Sequence, residues 1–138
     1  MRLKDKVAIV TGGGSGFGAG IVRKFAAEGA QVLVADLNFE GALDVAASVG
    51  PAARALRIDV TNGADVRTMM EAAELHFGRL DILVNNAGIG HLPQPLEDLP
   101  EDEFDRLFAV NMKAIYLALR EVVPRFKAKA AEDRKSVV

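Results

Sequence analysis

The stretch "VTGGGSGFGAG", Val10 to Gly20, decides how this chain is read. Six of its eleven residues are glycine, and it lies between a β-branched apolar run and a helical pattern. A flexible linker has no reason to stand there. A Walker-type phosphate loop needs Lys followed by Ser or Thr after its last glycine, and Gly18-Ala19-Gly20 offers neither. A purely structural turn and a dinucleotide cradle remain, and the setting favours the cradle. Glycines permit a tight turn and let backbone approach a pyrophosphate, while the helix N-terminus supplies free N–H groups and the positive end of its dipole. The spacing departs from the usual G-x-G-x-x-G, whose nearest match is Gly14-x-Gly16-x-x-Ala19. A better frame is Thr11-Gly12-x-x-x-Gly16-x-Gly18.

Working outward, short apolar runs alternate with helical patterns. "KVAIVTG" (Lys6–Gly12), "AQVLVAD" (Ala30–Asp36), "ARALRIDV" (Ala53–Val60) and "LDILVNNAG" (Leu80–Gly88) read as strands. Helices are expected over Phe17–Glu28 with Gly29 beyond its end, and over Phe39–Val49 before Gly50-Pro51. A third is capped by Thr61 or Asn62 and ends at about Phe77, and a long one covers about Glu101 to Lys129. Such β-α alternation predicts a doubly wound parallel sheet with helices on both faces, in the strand order 3-2-1-4. A ligand crevice then lies at the carboxyl ends of strands 1 and 4, where the order reverses.

Composition narrows the function classes. The chain has 138 residues, enough for one domain, and a formal charge of −2. No basic excess points to nucleic acid or to an anionic membrane. Cysteine is absent, and two histidines without HExxH spacing argue against a metal site. The apolar run near the start is too short for a signal peptide or a membrane span, so the default expectation is cytoplasmic.

Three further features extend the cradle. Asp36 ends the second strand, 24 residues after Gly12, where a carboxylate can accept hydrogen bonds from an adenosine ribose. A carboxylate there also repels a 2′-phosphate, which should favour NAD over NADP by about 1.5–3 kcal/mol. Asp59-Val60 and Asn85-Asn86-Ala87-Gly88 end the next two strands and suit either a ligand wall or tight turns. In the long helix, Phe104, Phe108, Asn111, Ile115 and Leu119 fall on one stripe, which puts a polar amide on an apolar face. That amide needs partners, either in a neighbouring loop or in function.

Together these pieces resemble the short-chain dehydrogenase/reductase family: "TGGGSGFG" (Thr11–Gly18), Asp36, Asp59-Val60, "NNAG" (Asn85–Gly88) and Asn111 in "VNMKAIYLA". The resemblance implies an NAD-dependent oxidoreductase on a Rossmann-type fold, moving hydride between nicotinamide and an alcohol or carbonyl substrate. It implies that Gly12, Ser15, Gly16, Phe17 and Gly18 surround the pyrophosphate and that Asp36 and Leu37 flank the adenosine ribose. Asp59 and Val60 would border the adenine, and Asn86, Ala87 and Gly88 the nicotinamide side. Asn111 matches the family's catalytic Asn, which positions a proton-relay water. The family's acid/base Tyr-x-x-x-Lys and its serine have no match. Tyr116 is the only tyrosine, and the spacing Tyr116-x-x-x-Arg120 is rejected because arginine does not cycle protons. Ser136 stands just before Val137-Val138 rather than after a completed strand. The expectation is therefore the cofactor half of a dehydrogenase, residues 1–138 forming a Rossmann domain incomplete at its C-terminus, with strand 5 at most begun. The open edge of strand 4 would then be covered by another chain, or the fragment would be only marginally stable; a homo-oligomer is expected. Two other roles stay open: an NAD-binding fragment without chemistry, and an oligomerisation module built on the helix from Glu101.

Overall fold

A computed structural model describes residues 1–136 of the chain. β1 (Val7–Thr11) is buried along its whole length, which is why its sequence is continuously apolar rather than alternating. It pairs in parallel with β2 (Gln31–Asp36) on one side and β4 (Ile82–Val84) on the other, and β3 (Ala53–Arg57) adds outside β2. The strand order is 3-2-1-4, as expected for a doubly wound sheet. Val10 stands opposite Val34 and Val84, and Thr11 opposite Ala35, so the carboxyl ends of the central strands are level.

The two faces of the sheet build two cores. Val10, Val32 and Val34 pack under α1 (Gly16–Ala27) and α2 (Phe39–Val49) through Ala19, Val22, Ala42, Val45 and Ala46. Val7, Ile9, Leu33 and Ala35 point the other way, onto Val66, Met69, Met70 and Ala73 of α3 (Gly63–Phe77). Alternate residues of each strand therefore serve opposite cores, as the pleat requires. Asn62 is the cap of α3, its side chain accepting the Asp65 N–H at 3.0 Å. The edges behave as edges. β3 exposes Arg54 and Arg57, and β4 is only half-buried because no strand covers its outer side among the described residues. The expected start of a fifth strand at Val137-Val138 lies outside those residues.

At the amino ends of β1 and β4, Asp81 accepts the Val7 N–H at 2.9 Å and is clasped by Arg79 and Lys129. Burial alone would raise its pKa, but those donors outweigh it and hold the carboxyl far below the ordinary range.

Two expectations need correction. β4 is three residues long rather than nine, because Asn86 and Ala87 turn their N–H groups to the Thr11 hydroxyl instead of a strand partner. The long helix is not continuous. α4 (Glu101–Phe108) runs into a π turn at Ala109–Lys113, and α5 (Ala114–Ser136) follows. A π turn holds an extra residue and rotates the helix beyond it. Ala114, Ala118 and Val122 therefore face the core, and the expected stripe does not. Phe104 and Phe108 are each 54% exposed, Leu119 45% and Ile115 39%. Met112, Tyr116 and Val123 join them on one outward apolar face.

Candidate functional site

The glycine loop is shaped by its neighbours more than by its own flexibility. Gly12 has φ +64°, and a Cβ there would stand 3.0 Å from both Ala87 Cα and Asn86 Nδ2. Gly18 is buried against the Gly12 carbonyl oxygen, and a Cβ would overlap that oxygen outright and reach 2.6 Å from Asn86 Nδ2. Gly16, by contrast, has φ +53° and nothing within 4 Å of a Cβ, so its surface is free for a ligand. Ser15 and Phe17 flank it; Phe17 is 90% exposed, unusual for so large an apolar side chain.

Thr11 ties the β1 end to the β4 end. Its buried hydroxyl donates to the Val84 carbonyl at 3.2 Å and accepts the Asn86 and Ala87 N–H groups at 3.0 and 3.1 Å. The Asn86 carboxamide donates back to the Thr11 and Gly12 carbonyls. The two segments that should hold the two halves of a dinucleotide are thus locked to each other.

Asp36 is fixed from both sides. Its Oδ2 accepts the Gly14 N–H and its Oδ1 the Asn38 N–H, each at 2.9 Å. Every carboxylate oxygen retains a lone pair for further donors. Asp59 accepts the Thr61 hydroxyl at 2.6 Å and the Thr61 N–H at 2.9 Å, which holds its carboxyl below the ordinary value.

These residues border one open crevice of about 690 Å³ at the carboxyl end of the sheet, inside the roughly 300–1,000 Å³ range of ligand sites. Gly12, Ser15, Gly16, Phe17, Asp36, Leu37, Asp59, Val60, Asn86, Ala87 and Gly88 all line it. Gly18 does not; it supports Gly12 from below. Asn111 does not either. Its amide accepts the Ile89 N–H at 2.9 Å and donates to the Ile89 carbonyl at 2.8 Å, closing a two-point clamp on the loop after β4. The side-chain amide is thereby satisfied by the neighbouring loop. Tyr116 lies off the crevice, with Arg120 5.5 Å from its ring centre.

Sequence reasoning missed Ile89, Arg106, Ala109 and Val110, which close the crevice on the α4 side, and the knot made by Thr11. A hydroxyl at the end of an apolar strand was the available signal for Thr11. The helix residues carried none, because which of them face the crevice depends on how α4 and the π turn pack.

The cradle fits a dinucleotide by its donor set and shape: an unobstructed Gly16, a helix N-terminus at α1, and a fixed carboxylate at Asp36. Among the described residues, no helix is long and apolar enough to cross a membrane.

Comparison with known proteins gives the same outline. The short chain dehydrogenase family model matches residues 6–135. Galactitol 2-dehydrogenase of Agrobacterium fabrum is 41% identical over 122 residues, covering 88% of this chain and 47% of that protein. A 4-formylbenzenesulfonate dehydrogenase of Comamonas testosteroni is 46% identical over 129 residues, covering 91% and 51%. The crystal structure of a 3-ketoacyl-(acyl-carrier-protein) reductase from Brucella melitensis, complexed with NADH, superposes with a TM-score of 0.93 at 47% identity. It matches 95% of this chain and 54% of its own. The chain thus spans about half the length of the relatives it matches.

Proposed function

The chain belongs to the short-chain dehydrogenase family, and we propose that it binds NAD in the crevice and serves an oxidoreductase acting on an alcohol or carbonyl substrate. The observation that carries this is the convergence of every expected cofactor contact except Gly18 on one crevice. Bound NAD would supply a hydride acceptor, or NADH a donor, at its nicotinamide. The residues here bind and orient. The open Gly16 backbone and the α1 N-terminus receive the pyrophosphate. Asp36, already held by Gly14 and Asn38, accepts from the adenosine ribose hydroxyls and disfavours a 2′-phosphate. Asn86, Ala87 and Gly88 form the nicotinamide-side wall. Asn111 acts as a positioning residue, fixing Ile89 on that side of the crevice.

Calorimetric titration of the chain with NAD and NADP tests this. Saturable binding of NAD, at least about tenfold tighter than NADP, is expected from the lost charged hydrogen bonds and the added repulsion. No heat and no thermal shift with either dinucleotide would refute it.

The outward face of α4 and α5 supports a second reading, self-association. Phe104, Phe108, Met112, Tyr116, Leu119 and Val123 make a contiguous exposed apolar stripe. Glu101, Asp102 and Asp105 flank its start, and Arg120 and Lys127 its far end. Two copies packed antiparallel about a twofold axis would bury the stripe and bring acid to base. Sedimentation should give a dimer or larger at micromolar concentration, and Leu119→Asp should reduce it to a monomer. A wild-type monomer at high concentration would exclude this face as the interface.

A further inference from the structure

Arg106 is the one cation among the described residues that line the crevice, whose walls otherwise carry Asp36 and Asp59. It stands on α4, one helical turn before Ala109 and Val110, which line the same wall. Val110 also shares a small secondary pocket with Val60. This side of the helix therefore borders the Val60 part of the crevice wall. Arg67, Arg79 and Arg125 by contrast are paired, with Glu121, Asp81 and Glu74. Arg106 is exposed and its side chain has neither hydrogen bond nor ion pair among the described residues. The Asp59 carboxylate, on the wall of the same crevice, is engaged by Thr61.

We propose that Arg106 is a binding residue for the adenine base, its guanidinium laid against the ring where Asp59, Val60 and Val110 leave that ring open to solvent. This rests on the dinucleotide reading above. A guanidinium is planar and weakly hydrated, so it stacks on a π face where an ammonium would stay in water. An arginine with no partner to give up loses only side-chain freedom when it does so. A purine carries no charge, so the interaction should depend little on salt; a phosphate contact would depend on it strongly.

The test is calorimetric titration of wild type, Arg106→Ala and Arg106→Lys with NAD and with 5′-AMP, at low and high salt. Melting curves accompany it, and the exposed position should leave them unchanged. The alanine variant is expected to bind NAD about two- to tenfold more weakly. The same factor should appear with 5′-AMP, persist at high salt and be little restored by lysine. Unchanged affinity in Arg106→Ala, with wild type binding NAD, would overturn this proposal alone. So would a loss seen with NAD but not with 5′-AMP. Full recovery by lysine, with a loss that vanishes at high salt, would assign the cation to a phosphate and overturn the adenine contact. Failure of the wild type to bind NAD would overturn the dinucleotide reading and this proposal with it.

Discussion

Asp36→Asn is expected to collapse the preference between the two dinucleotides by about ten- to 150-fold, the equivalent of about 1.5–3 kcal/mol. The substitution is chosen for what it keeps. The Asp36 carboxylate holds the loop as well as facing the crevice, with one oxygen on the Gly14 N–H and the other on the Asn38 N–H. Alanine would strand both donors and confuse a loop defect with a recognition defect. Asparagine keeps one acceptor and nearly the same volume; it removes the charge and leaves only one of the two backbone N–H groups without its acceptor. NAD should bind more weakly, because a neutral amide is a poorer acceptor for ribose hydroxyls. NADP should bind more tightly, because the repulsion of its 2′-phosphate is gone. Titration with both dinucleotides, beside a melting curve showing only a small drop, separates these effects. An unchanged NAD-to-NADP ratio would remove Asp36 from the selectivity argument.

What was legible in the sequence follows from how local each signal is. The strand order needed only continuous apolar runs separated by helical patterns, and these are properties of neighbouring residues. The place of Asp36 on the crevice wall was legible because it ends a buried strand beside the glycine loop. Family membership was legible because the motifs come in a fixed order along the chain, and the match over residues 6–135 bears it out. The α4–α5 region was not legible. One additional residue in the π turn at Ala109–Lys113 re-phases everything after it, so the 3.6-residue stripe through Asn111, Ile115 and Leu119 assigned the wrong side to the core. No periodicity argument contains that residue. Asn111, inside the turn, bonds both backbone groups of Ile89. Arg106, before that turn, was invisible because its place on the crevice wall depends on how α4 packs against the sheet end.

Gly18→Ala and Gly20→Ala add the same methyl group two residues apart, and they are expected to act in opposite directions. At Gly18 the new Cβ would overlap the Gly12 carbonyl oxygen and crowd Asn86 Nδ2, and neither can yield cheaply. The carbonyl belongs to a glycine at φ +64°, already in a conformation set by the turn. The Asn86 amide is engaged twice, with the Thr11 and Gly12 carbonyls. Relief must therefore move α1 away from the β1–β4 knot, which costs about 1–3 kcal/mol for overpacking plus about 1 kcal/mol for a weakened hydrogen bond. The same movement displaces Gly16 and the helix N-terminus that would receive a pyrophosphate, so NAD affinity should fall by more than about tenfold as the pre-formed cradle is lost. At Gly20 the backbone is ordinary helix, the position is exposed and a Cβ meets nothing within 4 Å. Alanine there removes freedom only from the unfolded chain and should stabilise by about 0.4–1 kcal/mol. Thermal melts of the two variants should therefore move to opposite sides of wild type, and NAD titration should change only for the first. A Gly18→Ala protein that melts and binds like wild type would show that the contact beneath the loop is not what holds the cradle in place.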